Sequence, residues 1–282
     1  MAKEITNSIA REEDGTLQVT FMLPWETVEK AQNNAYKKYA KDITVKGFRK
    51  GMAPVEKAKE HVALDKVIRS VIAEILPPAL GKAFEEHKIQ AMMYPKIEVV
   101  SVDEGKDWQI RAVTCELPPF ELGNYKDAIT NLSKSLKKDK KELTAEEKQR
   151  NIVELLEKSI SLKVPHILVE EEVEGRLTSL LDRIDKLGLN LESYLASLGK
   201  TPEKLREEYV QQAKSSIAME LILEKIAKEE KIEIKDEEIE AVIKASEADR
   251  SLSEKLNSPE QRSVIKSILR KRKCLDALSA LL

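Results

Sequence analysis

An α+β domain followed by an all-α domain of many helices is the fold that the sequence predicts, and three patterns predict it. Period-two apolar alternation, the mark of a half-buried strand, occurs only before residue 118. Helix caps with 3.6-residue apolar stripes fill the remainder. Leu, Ala, Glu and Lys dominate the second half, where glycine and aromatic residues are sparse.

Within the first domain, residues 1–122, TLQVTFML (16–23) places Leu17, Val19, Phe21 and Leu23 on one face. Asp14-Gly15 before it is a hairpin turn that pairs this strand with KEITNSIA. Beyond Pro24 a helix is expected to about Ile43, with Val28, Ala31, Ala35 and Tyr39 as its stripe. A shorter helix follows Pro54, and a longer one runs from about Leu64 to Lys88, which Pro77-Pro78 should kink or break. KIEVVSV and WQIRAVTCEL then read as strands joined by a turn at 103–107.

Residues 123–143 include NLSKSLKKDKKEL, with five lysines and one aspartate, which reads as a solvated linker or an exposed helix face. The third region, 144–282, is helical in six or seven segments. Thr144 to Glu147 is a capping box, Gly188 and Gly199 are stops, and Thr201-Pro202 opens the longest helix, to about Glu230. Asp236 and Ser258-Pro259 start the last helices.

The totals narrow the function. Lys plus Arg (48) nearly balances Asp plus Glu (50), so any pull toward nucleic acid or membrane must be local. The N-terminal residues lack the apolar core of a signal peptide, and no window approaches the roughly 20 apolar residues of a membrane span. Cytoplasmic location, without membrane contact, is the resulting expectation. Cys115 and Cys274 stand far apart in no metal-ligand spacing. His61, His87 and His166 are dispersed, and no Gly-rich phosphate loop occurs. No enzyme and no cofactor are expected.

The segment VKGFRKGMAP (45–54) stands out. Gly47 and Gly51 give the backbone freedom, and Pro54 stiffens the exit into a helix. Lys46, Arg49, Lys50, Lys57 and Lys59 place five cations within fourteen residues, around the aromatic Phe48. Read from the residues alone, three accounts stand: a loop whose Phe48 folds back into its own core, a nucleic-acid contact, or a docking tip for a protein–RNA surface. IAMELILEKIA (217–227) is apolar around most of a helix circumference. It reads either as a central helix buried by its neighbours or as a face lining a cradle for unfolded chains, where Met219 would adapt to varied partners. Arg270 to Lys273 is a basic run on the last helix, either solvated or in contact with nucleic acid.

The string G-F-R-K-G-x-x-P at 47–54 resembles the signature of the trigger factor family, ribosome-associated bacterial chaperones. LPPFELGNYKDA (117–128), VPHILVEEEVEGRL (164–177) and LNLESYLASLGKTPEKLREEY (189–209) are similar to later parts of that family. The resemblance implies an α+β ribosome-binding domain before an all-α chaperone domain. It implies an ATP-independent holdase docked at the exit tunnel of the large ribosomal subunit, against ribosomal protein and rRNA, that shields nascent polypeptides. Gly47, Phe48, Arg49, Lys50, Gly51 and Pro54, with Lys46, would form the docking loop. Ile217, Met219, Leu221, Leu223 and Ile226 are the candidate client-binding residues, and a homodimer off the ribosome is possible. A ribosome-independent general chaperone or assembly factor of the same fold is the alternative. Family members usually carry a prolyl isomerase domain, but about forty residues separate Leu122 from Val164, too few for a fold of about 100 residues. Isomerase activity is therefore not carried over, and 123–143 stands in that domain's place.

Overall fold

The structure is a computed structural model that describes residues 4–41, 43, 55–138, 143–245 and 257–282. It divides into two units, 1–117 and 118–282.

In the first unit, β1 (Thr6–Arg11) and β2 (Thr16–Leu23) form a hairpin. Gly15 adopts φ 91°, and the Asp14 carboxylate accepts a hydrogen bond from the Thr16 N–H at 2.9 Å. Both follow from Asp-Gly chemistry, because aspartate bonds its own turn and only glycine takes that φ without strain. The helices α1 (Trp25–Ala40), α2 (Val55–Lys59) and α3 (Leu64–Glu86) come next. Then β3 (Lys96–Ser101) and β4 (Trp108–Cys115) complete an antiparallel sheet of order β1-β2-β4-β3. Leu17, Val19, Phe21 and Leu23 of β2 lie opposite Thr114, Ala112, Ile110 and Trp108 of β4. This apolar face is buried against Val28, Ala31 and Ala35 of α1 and Val67, Val71 and Leu76 of α3. Pro24 has no side-chain donor or acceptor to offer α1, and the Asp107 carboxylate accepts from the Trp25 N–H at 2.9 Å instead.

Of the kink or break expected at Pro77-Pro78, the break does not occur, since α3 is continuous from Leu64 to Glu86. Both prolines sit on the exposed face, as do Ala73 and Glu74 four residues earlier, whose carbonyls lose their helical donors. Those oxygens are open to solvent, while Val67, Val71, Ile75 and Leu76 before the prolines and Ala83 after them pack in the core. Helix α1 ends at Ala40, three residues short of the expected Ile43.

From residue 118 onward the described residues hold seven helices. They are α4 (Tyr125–Lys138), α5 (Ala145–Ser159), α6 (His166–Lys186), α7 (Leu191–Ser197), α8 (Pro202–Glu229), α9 (Asp236–Ala245) and α10 (Pro259–Ser279). The Thr144–Glu147 capping box forms reciprocally, and Thr201 and Ser258 each accept from the N–H three residues on. Gly188 and Gly199 take positive φ at 69° and 61°, as helix stops require. Phe120 and Leu122, grouped by sequence with the first domain, pack in the second unit beside Ile129, Ile152, Leu156, Ile222 and Ile226. Smaller clusters join α6, α7 and the first half of α8, and α9 with α10. No helix among the described residues is long and apolar enough to cross a membrane.

Removing the proline penalty tests this account of α3. Pro77→Ala together with Pro78→Ala restores two backbone donors and should stabilise the first unit by about 1–2 kcal/mol, after the loss of unfolded-state restriction. Thermal or urea unfolding of the double variant measures it, and an unchanged midpoint would mean that the exposed carbonyls carry no penalty.

Candidate functional site

The segment with Lys46, Gly47, Phe48, Arg49, Lys50, Gly51 and Pro54 lies outside the described residues. What is described is its base, the end of α1 and the start of α2. The two helices pack together, and the Lys59 ammonium stands 5.2 Å from the Tyr36 ring centroid. The Tyr39 hydroxyl donates to the Lys66 carbonyl at 3.4 Å, tying α1 to α3. Lys37, Lys38 and Lys41 on one side and Lys57 and Lys59 on the other are all exposed. Both anchors of the loop are thus firmly seated, and the surface around them is cationic.

The candidate client residues divide by burial. Ile226 is fully buried and Leu223 nearly so, both within the largest cluster of the second unit. Leu221 is buried as well. For Leu223 and Ile226 the cover comes from α4, α5 and α10, which pack on that side of α8. Met219 and Ile217 are partly exposed, Met219 at the margin of the largest cluster and Ile217 against Val169, Val173 and Ala213. The exposed apolar side chains lie elsewhere in the second unit. Leu187 is 73% exposed, with Leu181, Leu189 and Leu198 nearby in the chain. Leu187 and Leu189 flank the helix-ending Gly188, a position where an apolar residue has no stripe to join. That pattern was the available signal for them.

Sequence reading also missed a polar clamp across the start of the second unit. The Lys225 ammonium on α8 donates to the Phe120 carbonyl and lies 4.4 Å from the Phe120 ring centroid. One turn further on, the Tyr125 hydroxyl donates to Glu230 at 2.9 Å, and Lys126 pairs with the same carboxylate at 2.5 Å. Bonds from Lys126 and then Tyr125 hold the Glu230 carboxyl below its ordinary 4.5. Burial first, then the bond to Glu230, pushes the Tyr125 phenol well above its ordinary value. Beneath this clamp Cys274 is fully buried, and burial pushes its thiol up to about 11. Cys115 is also buried. His61, His87 and His166 are all exposed.

Two family models match the chain. Residues 6–155 match "Bacterial trigger factor protein (TF)", and residues 126–280 match "Bacterial trigger factor protein (TF) C-terminus". The chain belongs to the bacterial trigger factor family. The two matched ranges overlap over residues 126–155, so no interval for a further folded domain lies between them. The trigger factor of Streptococcus uberis is 32% identical over 142 residues, which is 50% of this chain and 33% of that protein. That of Staphylococcus epidermidis is 33% identical over 139 residues, 49% of this chain and 30% of that protein. The chain thus spans about a third of the length of the curated relatives it matches. A solved structure from work on promiscuous substrate recognition in folding and assembly by the trigger factor chaperone aligns over 99% of both chains, with a TM-score of 0.64 and 13% identity. At that identity the likeness is one of fold.

The clamp gives a pH-dependent prediction. A carboxyl held below its ordinary value contributes stability that is present above the unfolded value and is lost as pH falls through the folded one. Glu230→Gln should therefore lower the unfolding midpoint of the second unit above about pH 5, and the deficit should vanish in stronger acid. Tyr125→Phe should cost about 0.5–1.5 kcal/mol through its lost hydrogen bond. Midpoints for both variants that equal the wild type at pH 7 would show that the clamp contributes no stability.

Proposed function

We propose that the protein is an ATP-independent chaperone that docks on the large ribosomal subunit at the exit tunnel and holds nascent polypeptides. One observation carries the reading: a family match over both halves, with the family's G-F-R-K-G-x-x-P string intact between α1 and α2. The exposed lysines at the loop base support it, since phosphate-rich RNA attracts a local cationic surface even when net charge is near zero. In this account Phe48 enters an apolar pocket on a ribosomal protein, while Lys46, Arg49 and Lys50 meet acidic groups or rRNA phosphate. Gly47 and Gly51 let the backbone approach, and Pro54 sets the return into α2.

The second unit supplies the client surface. Ile217 and Met219 are its accessible members on α8, while Leu221, Leu223 and Ile226 form the floor that keeps the helix straight. Leu181, Leu187 and Leu198 extend it. A few hundred Å² of such contact contributes several kcal/mol at ~25 cal/mol per Å², before entropy is subtracted. Binding is then weak, reversible and tolerant of sequence, and needs no nucleotide. Location is cytoplasmic in this reading, and the protein is not an enzyme.

A ribosome-independent chaperone or assembly factor of the same fold, self-associating as a homodimer, is the second reading. The work on the similar solved structure concerns assembly as well as folding, which favours keeping it.

Co-sedimentation separates the two. The protein should pellet with large ribosomal subunits, and Phe48→Ala, Arg49→Ala, Lys50→Ala together should reduce pelleting at least tenfold. Unchanged pelleting of the triple variant refutes loop docking. Absence of pelleting in the wild type, with client aggregation still suppressed, selects the second reading.

A further inference from the structure

The first unit carries an apolar surface that the proposed docking does not use. Ile97 lies opposite Ala112 and Val99 opposite Ile110. Directly opposed residues in an antiparallel pair share a face of the sheet, so Ile97 and Val99 lie on the side that packs against the helices. Yet Ile97 is 40% exposed and Val99 50%. The core on this face is built from β2, β4, α1 and α3 and stops short of β3. Val100, beyond a register shift, is 44% exposed, and Tyr94, just before the strand, is 96% exposed.

The backbone of β3 is open as well. The Met92 N–H donates to the Cys115 carbonyl at 2.9 Å, so Cys115 directs its backbone groups toward β3. By alternation Val113 and Arg111 do the same, and their partners Lys96 and Glu98 turn inward to the ladder. The N–H and C=O of Ile97 and Val99 therefore point away from β4, to the outer edge, since β3 is terminal in the sheet among the described residues. The opposite edge differs. On β1, Ile9 is packed against the core, and Thr6, Ser8, Ala10 and Arg11 are its exposed residues. Long apolar edges invite strand pairing and are normally blunted by charge or by a cover. The exposed residues of β1 are polar or small, whereas β3 exposes Ile97, Val99 and Val100 alongside its charged Lys96 and Glu98.

Two extended occupants fit an unpaired edge: a second copy of β3 or a segment of another chain. A strand of six residues is about 20 Å long, and pairing two of them buries roughly 400 Å² in total, far below the roughly 1,200 Å² of a stable dimer. The small area suits a transient guest. We propose that β3 captures an extended apolar polypeptide segment as an added strand, with its backbone on Ile97 and Val99 and its alternate apolar side chains beside theirs. This deepens the chaperone reading and rests on it, giving the first unit a client site of its own.

The test uses the full chain and a fluorescein-labelled, uncharged decapeptide of alternating valine and threonine. Amide exchange followed by NMR should slow at least fivefold at Ile97 and Val99 on adding the peptide, and should not change at Asn7 and Ile9 of β1. A peptide N-methylated at alternate residues keeps the side chains but cannot pair, and should bind at least tenfold more weakly by anisotropy. Val99→Lys should weaken the unmodified peptide at least fivefold, while the N-methylated comparison uses wild-type protein and so is independent of that variant's folding. Binding without slowed exchange at Ile97 and Val99, or equal affinity for the N-methylated peptide, overturns the proposal. Slowing that grows with protein concentration in the absence of peptide assigns the edge to a second copy and also overturns it. Suppression of aggregation of a chemically denatured protein is measured in parallel. If suppression persists without edge protection, this inference fails and the chaperone reading stands. If suppression is absent while the edge is protected, the chaperone reading fails.

Discussion

Burial of one face of β2 and β4 beneath α1 and α3 decides where the other parts of the first unit lie. Leu17, Val19, Phe21 and Leu23 with Trp108, Ile110 and Ala112 form a floor that both helices must cover. Burying residues of this size contributes about 1.5–3 kcal/mol each, so the helices cannot shift without large cost. That fixes the α1 terminus and α2, from which the cationic 46–51 string departs. It also fixes what is left bare, because two helices cover this floor and β3 lies beyond it. The anchored loop base and the open edge are consequences of the same packing.

In the second unit α8 plays the equivalent part. Its first half packs with α6 and α7 through small clusters around Val173, Ala213 and Leu180, and its second half enters the largest cluster. The connection from the first unit is fastened to that second half, by Lys225 on Phe120 and by Glu230 on Tyr125 and Lys126. Both are charge-assisted bonds, stronger than neutral ones.

Features set by neighbouring residues were legible in the sequence. The Asp14-Gly15 turn, the Thr144–Glu147 box, the Thr201-Pro202 start and the Gly188 stop each rest on chemistry within a few residues. Pro77-Pro78 does not break α3, because propensity is local while the packing of α3 on the sheet is not. The clamp was invisible for the same reason, since Phe120 and Lys225 are 105 residues apart. The run at 217–227 told that α8 is apolar on most sides, but only its neighbours decide that Ile226 is covered and Met219 partly open. Likewise KIEVVSV reads as a strand whether or not a helix lies over it. The 47–54 string was legible as a motif, through six fixed positions rather than through any pattern of burial.

The placing of the two sulfhydryl groups has a bearing on oxidative stress. A thiol pushed up by burial stays protonated at neutral pH, and ionised sulfur is the form that peroxide attacks. Cys274 is shut away beneath the Tyr125–Glu230 contact, and Cys115 is enclosed in the sheet. Neither offers an oxidant a foothold while the chain is folded.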